Sequence, residues 1–316
     1  MHMIMKKTIL LLATVLTVSF SLFSEELPKP TKVLMLYPEG QGVDKGIIEN
    51  GVAVTLGPLQ NNGRKECTHP TPHRWDGIGD DAQIHLYLPK KCNGLMLVSC
   101  PGGGYQRCNN EQEGLWLAQW CLKRGIACCV VLYRAPLGKF DKLPLWDVQN
   151  AFRYCRFHAA EWGVKKIGIV GFSAGGHLAA TASNLWVDAV TRPDFSMLFY
   201  PVITFGPGTH SGSRDRLAGD NACKHEYYSI ERQVSIRTPE TFLVCCEDDP
   251  GVPVRHSLLY YEALVSSRVP AEFHVLPKGG HGFGFAETGR PDDRMDKENR
   301  AKLNFLLERW LEERNK

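Results

Sequence analysis

Between Ile167 and Gly176 the chain reads IGIVGFSAGG, and the small-residue run HLAATA follows. An apolar strand that enters Gly-Phe-Ser-Ala-Gly and leaves as a helix has to turn so sharply that Cβ atoms at the flanking glycines would clash. Such an elbow lifts the hydroxyl of Ser173 above the edge of a sheet, at a helix N-terminus whose dipole favours negative charge. A Gly-rich turn with an incidental serine is the bland alternative. The strand before the motif and the helix after it favour a nucleophile. Ser173 is therefore the candidate nucleophile, and the fold must be one in which parallel strands feed helices.

The rest of the chain agrees. Strands are expected at Thr31–Tyr37, Ile84–Leu88, Leu95–Cys100, Ile126–Tyr133, Ile167–Val170, Phe195–Tyr200, Thr241–Cys246 and Glu272–Leu276. Helices are expected at Glu113–Arg124, Pro144–Glu161, from about Ala174, and at Ser257–Ser267. A final amphipathic helix carries Leu303, Leu307, Trp310 and Leu311 on one stripe. Continuous apolar strands alternating with helices mean a mostly parallel sheet covered on both faces, an α/β fold. The stretch Gly206–Ser213 reads as a Gly-rich polar loop. With 316 residues, 43% hydrophobic and 22% charged, the chain has ample material for a core. Collagen, coiled coil and wholesale disorder are excluded. Its net charge of +3 makes no case for a nucleic-acid partner.

A serine hydroxyl needs a base to take its proton. His281, in the loop Lys278–Gly284 (KGGHGFG) after the last strand, has the right chain position. His177 is the competitor, but it sits on the helix that follows Ser173, where it would pack rather than reach the serine. The base needs an acid to orient it. Strand TFLVCC ends in Glu247-Asp248-Asp249-Pro250, three carboxylates at the strand edge where α/β sheets place their sites. Asp249, directly before the Pro-Gly turn, is preferred over Asp248, with Glu247 third. Upstream, Pro101-Gly102-Gly103-Gly104-Tyr105 follows a buried strand. Its glycines can turn backbone N–H groups into the site. Gly103 and Gly104, with Ala174 after the nucleophile, are the expected oxyanion donors. A phosphate-binding loop is disfavoured because neither G-K-[ST] nor G-x-G-x-x-G occurs.

The N-terminus combines Lys6 and Lys7, an apolar run from Thr8 to Phe23, and small residues at Ser19, Ser21 and Ser24. That is the pattern of a secretory signal peptide, and the apolar run is short for the roughly 20 residues that span a bilayer. The expected organisation is a signal peptide at 1–24, an irregular arm at 25–81 and the α/β domain at 82–316, in a secreted or periplasmic protein. The eleven cysteines cannot all pair. Cys128, Cys129, Cys245 and Cys246 lie in apolar runs and read as small buried hydrophobes. A Cys67–Cys92 or Cys108–Cys121 bridge stays open. No cofactor or metal is expected; His69, His73 and His85 can be nominated as ligands, but the first two sit in a Pro-rich stretch that reads as a surface loop.

PGGGY at 101–105, Tyr133-Arg134, Pro144-x-x-Asp147, GFSAGGHLA at 171–179, Tyr200-Pro201, DDPGVP at 248–253 and GGHGFG at 279–284 stand in an order that resembles the α/β-hydrolase superfamily. The similarity is to its branch of secreted acetylxylan and feruloyl esterases and runs from about Ile84 to Leu311. The resemblance implies Ser173 as nucleophile, Asp249 as acid and His281 as base. It implies removal of acetyl groups from polysaccharide, with an acylated polysaccharide or a small ester as the binding partner. Feruloyl or other short-chain ester cleavage is the alternative, then a serine peptidase of the same fold, then a non-catalytic binding protein. Where many relatives have His before the three glycines, this chain has Pro101, which weakens any transfer of substrate preference. Glu113-Gly114, Tyr133-Arg134 and Asp147 read as scaffold, with Arg134 or Arg153 as the partner of Asp147.

Overall fold

The computed structural model describes residues 27–36, 82–136, 138–290 and 293–316. The expected signal peptide, most of the arm, Cys67, His69 and His73 lie outside them.

Among the described residues eight strands form one sheet: β1 (Lys32–Met35), β2 (Gln83–Tyr87), β3 (Leu95–Cys100), β4 (Ala127–Leu132), β5 (Lys166–Phe172), β6 (Ser196–Phe199), β7 (Thr241–Cys246) and β8 (Ala271–Leu276). Their order is β1-β2-β4-β3-β5-β6-β7-β8. β1 and β2 pair antiparallel with their neighbours, and every pair from β4 to β8 is parallel. The largely apolar segments β3, β4 and β7 are buried along their whole length, as strands covered on both faces must be.

Helix α1 (Trp116–Lys123) follows β3, α2 (Leu143–His158) follows β4, and α3 (Ala174–Asn184) follows β5. Two short helices, α4 (Ser211–Ala218) and α5 (Ala222–Tyr227), come between β6 and β7. After them, α6 (Arg255–Ser266) precedes β8 and α7 (Lys297–Arg314) closes the chain. The predicted stripe on α7 is buried at Leu303, Leu307, Trp310 and Leu311. No helix among the described residues is long and apolar enough to cross a membrane.

Two local expectations are corrected. The helix expected from Glu113 is preceded and partly replaced by a π-helical turn at Glu111–Leu115, so only Trp116–Lys123 is α-helical. The wider turn carries the buried carboxylate of Glu113 towards the end of β3. The polar stretch expected as loop to Ser213 gives way to helix at Ser211, because the His210 side chain caps it by accepting from the N–H of Ser213.

Asp147 of α2 pairs with Arg134, at 2.6 Å and with both side chains buried, while Arg153 pairs instead with Asp188. All ten described cysteines are unpaired. Cys108 and Cys121 are therefore not bridged. Cys128, Cys129, Cys245 and Cys246 are buried in the core.

The order β4-β3-β5 positions the site. From β3 the chain goes outward to β4, then crosses back to β5 on the other side of β3. Loops leaving β3 and β5 therefore diverge at their carboxyl ends and open a crevice there. Cys100 lies opposite Gly171 in that register, which places the Gly102–Gly104 loop next to the Ser173 elbow.

Candidate active site

Ser173 sits between β5 and α3 with φ 55° and ψ −120°. A side chain in that region costs roughly 1–3 kcal/mol, which the surroundings must supply. They do so through backbone hydrogen bonds: Ser173 N–H to Phe199 O at 3.1 Å, and Val202 N–H to Ser173 O at 3.0 Å. A Cβ on Gly175 would run into the carbonyls of Cys100 and Pro101, so only glycine lets α3 approach β3 this closely.

The Ser173 hydroxyl lies 2.8 Å from His281 Nε2, and His281 Nδ1 lies 2.7 Å from Asp249 Oδ2. The Asp249 side chain is fully buried. Burial pushes its carboxyl up, but the hydrogen bond from His281 and the N–H groups of Val252 and Gly251 outweigh that and hold it below its ordinary value. An ionised carboxylate only accepts, so Nδ1 carries the ring proton and Nε2 is left to accept from the serine. Asp249 Oδ1 is fixed by N–H groups of Gly251 and Val252, both at 2.8 Å.

Asp248 takes a different part. Its Oδ1 accepts from the N–H of Gly280 at 2.8 Å, which holds the backbone of the histidine loop. Glu247 is exposed. His177 is buried away from the serine. Its Nε2 donates to Tyr228 O and its Nδ1 accepts from the Tyr105 hydroxyl, each at 2.8 Å, and the ring stacks on Phe205. Burial lowers its pKa to about 4. His85 is also buried and lies 3.1 Å from Gln83 Oε1, and no metal-ligand cluster occurs among the described residues.

Gly103 (φ +131°) and Gly104 (φ +64°) take backbone conformations that side chains rarely adopt. The loop before them is held from two sides. The Tyr133 hydroxyl donates to Pro101 O at 2.6 Å, and Gly102 N–H donates to Glu113 Oε2 at 2.6 Å. Gly102, the loop glycine that lies against Ser173, thus has its N–H committed to Glu113, while no acceptor among the described residues engages the N–H groups of Gly103 and Gly104.

Glu113, expected as scaffold, joins three parts of the site. Glu113 Oε1 accepts from the Tyr200 hydroxyl at 2.8 Å, and that hydroxyl accepts from Gly284 N–H at 2.9 Å. One buried carboxylate thus ties the Gly102 loop to Tyr200 after β6 and to the loop that carries His281. Burial pushes the Glu113 carboxyl above its ordinary value, against the pull of the Tyr200 hydroxyl and the Gly102 N–H. Arg300 of α7 completes the frame, donating to Phe283 O at 2.6 Å and Gly284 O at 3.1 Å while it pairs with Asp293. A Glu two turns past a PGGG loop is the only sequence signal for the first contact, and no local pattern announces the second.

This geometry and the sheet order define an α/β-hydrolase. The chain belongs to the α/β-hydrolase fold family, whose model matches residues 97–285. An acetylxylan esterase from Xylanibacter ruminicola is 36% identical over 229 residues, covering 69% of this chain and 47% of that protein. Endo-1,4-beta-xylanase B from Butyrivibrio fibrisolvens is 36% identical over 208 residues, 60% of this chain and 32% of that one. The chain thus spans about half the length of the first relative and a third of the second. Among solved structures, an acetyl ester-xyloside bifunctional hydrolase from Caldicellulosiruptor lactoaceticus superposes with a TM-score of 0.67 at 30% identity, covering 92% of this chain and 98% of that one.

Proposed function

We propose that this protein is an exported serine carboxylesterase that removes O-acetyl groups from polysaccharide. The observation that carries the reading is the hydrogen-bonded line Ser173–His281–Asp249 beside a glycine loop with positive φ. The similarity to an acetylxylan esterase and to an acetyl ester-xyloside hydrolase supports the substrate class. Export rests on the leader at 1–24, with 82–316 as the catalytic domain.

In this mechanism the Ser173 oxygen attacks the acetyl carbonyl while His281 Nε2 takes its proton. Asp249 holds the ring and stabilises the imidazolium. The oxyanion rests on the N–H groups of Gly103, Gly104 and Ala174; each donor is worth about 2.7–4 kcal/mol of barrier. His281 then protonates the departing sugar oxygen. A water, deprotonated by His281, releases acetate from the acetyl-enzyme.

The test is hydrolysis by protein from residue 25 onward. Substrates are acetylated xylan, methyl ferulate, p-nitrophenyl esters of acetate, butyrate and octanoate, and a peptide anilide. Acetylated xylan and acetate esters are expected to lead. Preference for ferulate would move the substrate and keep the mechanism, and turnover of the anilide alone would indicate a peptidase. A folded protein inert on every ester would return the chain to the binding-protein alternative.

A further inference from the structure

The polar stretch between β6 and α4 has no part in the Ser–His–Asp line, yet it delivers a second histidine to the same edge of the sheet. His210 caps α4. Ser213 N–H donates to His210 Nδ1 at 3.2 Å, and Ser213 Oγ lies 2.8 Å from the same nitrogen. A backbone N–H only donates, so Nδ1 is an acceptor and the proton of the neutral ring sits on Nε2. Burial first, then the neighbouring His281 and Arg216, hold this imidazole below its ordinary value, with Asp249 opposing. The ring is neutral near pH 7, with one donor to offer. No acceptor among the described residues engages that donor.

Its position is set by the oxyanion loop. A Cβ on Gly104 would lie 3.8 Å from His210 Cε1 and 3.3 Å from Arg216 Nη1. Arg216, on α4, donates from Nη1 to the carbonyls of Gly104 at 3.2 Å and Gly212 at 3.0 Å. The stretch leading to His210 is pinned in turn. His256 Nδ1 accepts from Ile203 N–H at 2.9 Å, and the Thr209 hydroxyl donates to Thr204 O at 2.7 Å. A donor whose tautomer is locked and whose mount is tied to the loop has one fixed direction.

An acetyl group presents no hydrogen-bonding atom beyond its carbonyl oxygen, and in the mechanism proposed above that oxygen is taken by backbone N–H groups. A further donor beside Gly104 is left for the alcohol half of the ester. We propose that His210 is a specificity residue whose Nε2–H binds a hydroxyl or ring oxygen of the sugar unit that bears the acetyl group, with Arg216 as the positioning residue that keeps His210 and Gly104 together. This rests on the polysaccharide reading above.

Two substitutions separate the roles of the ring. His210→Asn retains an excellent cap for α4 but cannot reach where Nε2 stood. His210→Gln restores an N–H near that place. The readout is the ratio of kcat/KM on a monoacetylated xylo-oligosaccharide to that on p-nitrophenyl acetate. In His210→Asn the ratio is expected to fall about 3- to 10-fold, mostly through KM, which is the worth of one neutral hydrogen bond. His210→Gln is expected to recover most of it. Equal losses on both substrates would assign the donor to the oxyanion or to the fold, and an unchanged ratio would remove it from the substrate; either overturns the proposal. Wild-type protein that turns over p-nitrophenyl acetate but no acetylated oligosaccharide removes the polysaccharide reading itself, before any variant is made.

Discussion

The catalytic floor hangs from buried strand ends, whereas the segment from 203 to 233 beside it is two short helices and a 3₁₀ turn that reach the core only through a few residues such as Phe205, Leu217, Tyr228 and Ile230. Helix α5 buries none of its residues, and α4 only Ser213, Leu217 and Ala218. The floor is held by groups with no access to water: Glu113, Tyr200 and Arg300 each join two or more loops. The second segment leans on contacts that are as short but more open to water, such as Lys224 to Asp141 at 2.6 Å and the Tyr228 hydroxyl to Asp141 at 2.7 Å. The difference separates two demands. Proton transfer and oxyanion binding need fixed geometry, which burial provides. Discrimination among substrates can be carried by a segment that is tied to the core at only a few points, such as Phe205, Leu217 and Ile230, and leaves its helices mostly open to solvent.

The largest effect expected from disturbing the floor is in Asp249→Asn. The amide can donate to Nδ1 and leave the ring in the wrong tautomer, so kcat should fall by about 10⁴ with little change in the urea midpoint. Glu113→Gln is next. The side chain keeps one acceptor but turns an NH₂ on one of its two donors, Gly102 N–H or the Tyr200 hydroxyl. A kcat loss of about 10- to 100-fold and a stability loss of roughly 1–3 kcal/mol are expected, from steady-state kinetics and urea titration. Were Glu113→Gln silent in kcat, the floor would not depend on that carboxylate.

The third prediction concerns pH. His177 joins the floor to the second segment through Tyr228, and its folded pKa of about 4 lies below the ordinary 6.5. The unfolded chain therefore takes the proton first. Stability is full above the ordinary value and is lost as pH falls from 6.5 towards 4, by on the order of 1 kcal/mol per pH unit. His85, also lowered to about 4, adds in the same direction. His177→Phe should show a shallower acid slope in urea midpoints; an unchanged slope would remove His177 as a source. Smallest is Asp141→Asn in the second segment, expected to cost roughly 0–1 kcal/mol as a partly exposed pair should. Its rate on p-nitrophenyl acetate should stay near wild type. A collapse of activity there would erase the contrast between the two regions.

The same contrast explains what the sequence could show. Strands β3 and β7 were legible to the residue because a continuous apolar run bounded by Pro-Gly or acidic residues has one reading. The elbow was legible because its glycines are demanded by backbone contact. His281 and Asp249, which hydrogen-bond to one another, stand out in the sequence by a Gly-rich loop after the last strand and by a Pro-Gly turn after three carboxylates. The helices α4 and α5 were not legible: they begin on side-chain caps at His210 and Asn221 and have no apolar periodicity to reveal them. Nor was the junction of Glu113, Tyr200 and Gly284, whose members come from a π-helical turn and two loops far apart in the chain. The part of His210 is hidden from the sequence for the same reason. Its meaning lies in a tautomer set by Ser213 and in a neighbour, Gly104, about a hundred residues away.

The central claim is that Ser173 is the activated nucleophile. An organophosphonate p-nitrophenyl ester tests it directly, because attack at phosphorus expels nitrophenolate and leaves a bond that water does not readily cleave. The account predicts one equivalent of nitrophenolate, loss of esterase activity and a mass increase confined to the peptide that holds Ser173, with no labelling of Ser173→Ala. Full esterase activity in Ser173→Ala, or a label on any other residue that accompanies inactivation, would contradict it.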